Sequence, residues 1–151
     1  MTEPVGDLHI DDFCKDAAKT WLLLFRRFPV KTTLYVEDIA GPDEPDEFGL
    51  HSPRFEAGFS ALVWLHESDY IHYSDTVKQE LVEDATLTHR AFTFLTSIDE
   101  TFVNSNGTAV SHPKDALQRR IDRIKFTLSE GTSEELKALV LRYMQESRQF
   151  Q

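Results

Sequence analysis

The strongest constraint on the fold lies in one stretch, Ser52 to Leu95, SPRFEAGFSALVWLHESDYIHYSDTVKQELVEDATLTHRAFTFL. Its hydrophobic pattern changes period twice. Ser52 suits an N-cap, because its hydroxyl can accept from a free helical N–H, and Pro53 suits the first helical position. Phe55, Phe59, Leu62 and His66 follow at steps of four, three and four, placing three apolar groups on one helical face. Tyr70, Ile71 and Tyr73 then switch to strand chemistry, and Val82 to Thr88 can pair back as a second strand. Thr88 is placed to cap a further helix over 89–98, with Phe92, Phe94 and Leu95 as its inward contacts. The stretch predicts helix, strand, turn, strand, helix.

On the N-terminal side, a helix is expected from Asp11 or Asp12, whose carboxylates favour the positive end of the dipole. Phe13, Ala17, Trp21, Leu24, Phe25 and Phe28 give it a broad apolar face, and Pro29 ends it. Lys31 to Ile39 reads as one strand. GPDEPDEFGLH (41–51) reads as an acidic loop, partly disordered; its composition suits a solvated connector, or an acidic contact for a basic partner.

On the C-terminal side, Phe102 to Ser111 is polar and turn-prone, so a boundary falls there, separating residues 1–102 from 103–151. Pro113 opens a helix carrying Leu117, Ile121, Ile124 and Leu128, and Gly131 stops it in the left-handed conformation common past a helix end. Thr132 and Glu135 match a capping box for a last helix with Leu136, Leu139, Val140 and Tyr143 as its stripe. The two should pack as an antiparallel hairpin, on the first part or against another copy.

WLHESDYI (64–71) and ATLTHRAFTFL (85–95), in this order and spacing, carry a resemblance. Leu65, Asp69, Tyr70 and Ile71 look like the end of a third helix turning into a first wing strand, with Asp69 where glycine is common. Aspartate enters the left-handed region more readily than most residues. Leu87 and Thr88 look like the pair that ends a wing and caps the next helix, with Ala91 where glycine is common. Over residues 11–98 the chain resembles the winged-helix superfamily, broadly the type of bacterial regulators. The expected class is α+β: a winged-helix-like domain followed by the C-terminal helical hairpin. One departure stands out: the acidic loop occupies the place of the usual second helix, which is therefore short, degenerate or absent.

The resemblance implies a DNA-binding transcription regulator, but the charge opposes it. The chain carries a net charge of -10, with 20 Asp+Glu against 8 Lys+Arg through residue 110 and 6 against 8 beyond it. Helix 53–68 presents Glu56, Ser60, Trp64 and Glu67 outward, and the wing carries Asp75, Glu80, Glu83 and Asp84 against Lys78. Carboxylates facing phosphate are repelled and costly to desolvate. Arg54, Lys78, Arg119, Arg120, Arg123 and Lys125 are the residues available for nucleic acid. The leading expectation is a non-enzymatic regulatory or protein-interaction module whose partner face is Glu56, Ser60, Trp64 and Glu67. Self-association as a homodimer is expected, because Trp21–Phe25, Phe28 and the last two helices offer more apolar surface than a small wing domain covers.

Candidate chemistry is thin. His66, Asp69, His72 and Asp75 recur every third residue, which fits neither a strand face nor a continuous helix, so His66 and His72 are weak metal candidates. Cys14 lies near His9, but a lone cysteine on an amphipathic helix is more often a small buried group. No phosphate-binding glycine loop or dinucleotide fingerprint occurs, and no cofactor is expected. One cysteine fits a reducing compartment, the acidic N-terminus is unlike a signal peptide, and the longest apolar run, Trp21 to Phe25, cannot span a bilayer. A cytoplasmic protein without membrane contact is the resulting expectation.

Overall fold

A helix from Leu8 to Arg27 (α1) is the element on which the others assemble in the computed structural model, which describes residues 7–101 and 118–150. It begins before Asp11, preceded by Asp7, and ends where Pro29 forces Phe28 into an extended conformation, with ψ 135°. Cys14, Ala17, Ala18, Trp21 and Leu24 are buried along it.

Strand β1 spans Thr32–Tyr35, shorter than the strand expected through Ile39, because Val36–Ala40 turns into a helix, α2. Tyr35 stays extended, while Glu37 and Asp38 occupy the first helical turn, where their charge suits the dipole. Val36 and Ile39, strand formers by type, lie three apart and are both fully buried. Burial overrides propensity here. A five-residue helix thus stands between β1 and the acidic loop.

Helix α3 spans Pro53–Glu67, with Ser52 Oγ accepting from Phe55 N–H as its cap. Gly58 lets it approach α2: a Cβ there would stand 2.6 Å from the Cβ of Ala40. Asp69 adopts φ 64°, the left-handed turn expected of it, and leads into β2, Ile71–His72. Strand β3 (Asp75–Val77) and strand β4 (Leu81–Leu87) form a hairpin whose Lys78 and Gln79 both have positive φ. That geometry matches the right-handed twist of the paired strands. All three other strands pair antiparallel with β4. Its inward residues are Val82, Ala85 and Leu87, and the break in alternation coincides with a register shift and Asp84 at φ 58°.

Helix α4 spans His89–Thr96, capped by Thr88 Oγ1, which accepts from Ala91 N–H. Helices α5 (Arg120–Glu130) and α6 (Ser133–Ser147) follow. A continuous helix from near Pro113 to Leu128 is not what forms: Arg119 makes an antiparallel bridge with Ile98 and α5 begins only after it, while Pro113 and Leu117 lie outside the described residues. The boundary expected at 102–111 lies outside them as well. Gly131 does stop α5, but at φ -90° rather than left-handed. Glycine is needed there for close approach, since a Cβ would sit 2.8 Å from Thr127 Cγ2. The Thr132–Glu135 capping box forms as expected.

The fold is α+β: among the described residues, six helices and a small antiparallel sheet of four strands. Ile121, Ile124, Leu136, Leu139, Val140 and Tyr143 join Trp21 and Leu24 in one core, because α5 and α6 pack on α1. Phe25 and Phe28 stack on Phe92 at 6.2 and 4.1 Å. Much of the apolar surplus expected to await a second copy is thus covered within the chain, while Phe126 and Leu141 stay exposed. No helix of the described residues is long and apolar enough to cross a membrane.

Candidate interaction surface

Glu56, Ser60, Trp64 and Glu67 form an exposed strip on α3, as their helical spacing predicts. Trp64 is 43% exposed, and its ring meets Phe13 edge-on at 5.2 Å and lies 6.1 Å from Tyr70. Beside it, a groove of about 480 Å³ separates the end of α3 from α6, lined by Trp64, Tyr70, Arg90, Leu141, Met144 and Arg148 among others. Leu141 is 44% exposed. The floor is fixed: Tyr70 Oη lies 2.7 Å from Ser147 Oγ, while Arg90 sits 4.5 Å over the Tyr70 ring and donates to the carbonyls of Ser147 and Ser68. Such a groove is preformed.

The acidic loop is ordered from both ends. His51 is clasped between two carboxylates, with Nδ1 2.9 Å from Asp43 and Nε2 2.9 Å from Glu80, and its ring stacks on Phe55 at 4.0 Å. The clasp ties the loop to the β3–β4 turn; Glu37 lines the same hollow. The hydrogen bonds to Asp43 and then Glu80 raise the imidazole pKa above 6.5, outweighing its desolvation. A histidine whose folded pKa is raised contributes stability that is complete below its unfolded value and lost as pH rises through the folded one. An NMR titration should therefore place His51 above 6.5, and His51→Gln should abolish that transition. A midpoint at or below 6.5 would count against the clasp. Sequence spacing gave no sign of it, since Glu80 is 29 residues away.

The cations proposed for phosphate are largely engaged. Arg54 donates to both oxygens of Asp16, at 2.8 and 2.7 Å. Arg119 pairs with Asp122 at 3.0 Å, and Arg120 pairs with Glu146 while lying 4.4 Å over Phe94. Arg123 lies 5.8 Å from the centre of the Phe126 ring. Lys78 and Lys125 are exposed. These positions assemble no cationic strip on α3 or the β3–β4 hairpin.

His66 and His72 do not converge: their ring centres are 6.3 Å apart, and His66 stacks on Tyr73 at 4.2 Å. Among the described residues no group of three or more His, Cys, Asp or Glu could hold a metal ion. Cys14 is fully buried, and desolvation, with Asp11 next in effect, pushes its thiol up to about 11, so it is protonated at neutral pH. The chain matches no family model, and no match was found among curated proteins or solved structures.

Proposed function

We propose that this chain is a non-enzymatic interaction module on a winged-helix scaffold, associating with a second copy of itself through the surface centred on Trp64. The element order α1, β1, α2, α3, β2, β3–β4 hairpin, α4 supports the scaffold reading, with α2 shortened and Asp69 turning into β2. The observation that carries the function is the half-exposed Trp64 beside a preformed apolar groove with Leu141 exposed in its wall. The patch carries both signs, Glu56 and Glu67 on α3 and the exposed Arg148 across the groove. That arginine complements a chain whose net charge is -10. The DNA-reader alternative gains no support from α3, whose one arginine is committed to Asp16.

Light scattering after size exclusion tests the reading. The native chain should show a mass that rises above 17.4 kDa with concentration. Leu141→Asp, at an exposed position on α6, should stay monomeric with an unchanged circular dichroism spectrum and melting temperature. A native chain that remains monomeric at millimolar concentration removes the proposal, and a band shift on mixed DNA at low salt would restore the alternative.

A further inference from the structure

The loop between α2 and α3 holds two apolar side chains out in solvent. Asp46 Oδ1 accepts from the N–H of Phe48 at 2.8 Å and of Leu50 at 2.9 Å. Asp46 N–H donates to Leu50 O, and Gly49, at φ 79°, donates back to Asp46 O. These four bonds close a short finger, residues 46–50. Phe48 is 78% exposed, the highest value of any large hydrophobic among the described residues, and Leu50 is 60% exposed. The His51 clasp fixes the base of the finger; Glu47, next to Phe48 in the chain, and Glu44, just before the finger, are both exposed. A preordered apolar pair flanked by carboxylates fits an apolar cavity with a cationic rim, and the ordering is complete before binding.

The chain carries such a cavity. The groove beside Trp64 is apolar along Trp64, Leu141 and Met144 and is bordered by the exposed Arg148, while Arg90 is held in its floor by Tyr70, Asp69 and the carbonyls of Ser68 and Ser147. Its volume, about 480 Å³, falls in the range that admits small organic ligands, leaving room for benzyl and isobutyl groups. Within one copy the finger does not fill it, because Phe48 is open to solvent. We propose that the 46–50 finger of one copy inserts Phe48 and Leu50 into the Trp64–Leu141 groove of a second copy, with Glu44 and Glu47 set against Arg148. This rests on the self-association proposed above and specifies its geometry. Finger and groove are different patches, so the contact is heterologous: each added copy keeps one free finger or groove until a ring closes.

Complementation between two full-length variants tests it. Phe48→Asp removes the finger and keeps the groove; Leu141→Asp does the reverse. At a concentration where the native chain associates, each variant alone should be monomeric. An equimolar mixture should give 1:1 heterodimers and nothing larger, since one finger and one groove survive. Raising salt should weaken both the native assembly and the heterodimer. If Phe48→Asp associates like the native chain while Leu141→Asp does not, the finger is overturned and self-association through Trp64 stands. If both variants are monomeric and the mixture stays so, the two patches do not meet, and the proposal fails. A monomeric native chain ends both readings.

Discussion

Arg54→Ala should cost about 3–5 kcal/mol of unfolding free energy, the range for removing one partner of a buried ion pair. Asp16 is 1% exposed, and the side-chain hydrogen bonds to its carboxylate come from Arg54. Burial already pushes the Asp16 carboxyl above its ordinary value, with Arg54 working in the opposite direction. Without the guanidinium, the carboxyl either stays charged in a poor solvent or takes up a proton. An acid whose folded pKa is raised loses stability as pH rises from its unfolded value of 3.8 through the folded one. The variant should therefore be least stable, relative to the native chain, at neutral pH and recover part of the loss in acid. Urea unfolding at several pH values measures this. Adding Asp16→Leu should restore much of the stability, because an apolar pair can replace a buried ion pair at little cost. A loss below 1 kcal/mol would show that the pair is not buried as described.

The second large effect is expected at Asp99. Its carboxylate is fully buried and accepts from Thr101 N–H and Oγ1, from both terminal nitrogens of Arg142, and from Tyr143 Oη at 2.6 Å. It fastens the segment after α4 to α6. Asp99→Ala leaves the Tyr143 hydroxyl unpaired in the core, while Arg142, about one-third exposed, keeps Glu146. The cost should fall near the lower end of the same range, about 3 kcal/mol. Burial pushes the Asp99 carboxyl up, but hydrogen bonds from Arg142, Tyr143 and Thr101 and the charge of Arg142 outweigh it and hold it well below the ordinary range. A depressed folded pKa gives stability that is present above the unfolded value of 3.8 and lost as pH falls below it toward the folded value. The native chain should lose that increment in acid, and Asp99→Asn should lack that part of the pH dependence. The same acid slope in both proteins would contradict the network.

Features set by residues three or four apart were legible in the sequence. Ser52, Thr88 and Thr132 cap helices because each needs only the N–H three residues on, and Asp69 takes the left-handed turn by its own intrinsic preference. The strip Glu56, Ser60, Trp64 and Glu67 followed from helical period alone. What depended on distant partners was not legible. Val36 and Ile39 belong to a helix rather than a strand because both are buried in the core with α3. Much of the apolar face of α1 found its cover in Ile121 to Tyr143, about a hundred residues away, rather than in a second copy. Arg54 was among the cations available for nucleic acid, and the sequence did not show that Asp16, 38 residues earlier, pairs with it. The finger failed to show for a different reason: an acidic, glycine- and proline-containing run reads as disorder unless the bonds made by one side chain, Asp46, are known.

The position of β4 as the strand to which all the others pair bears on how the chain is made. β1, β2 and β3 have no ladder of their own, so a nascent chain that has not yet reached Leu81 holds three strand segments and no sheet. Truncations ending before Leu81 should give collapsed, protease-sensitive fragments, however many upstream residues they retain. The apolar face of α1 is partly covered by Trp64, Tyr70 and Phe92, and its cover is complete only when α5 and α6 emerge. Until those helices emerge, α1 is shielded only in part, and Trp21 and Leu24 are where a chaperone should be found on ribosome-bound chains.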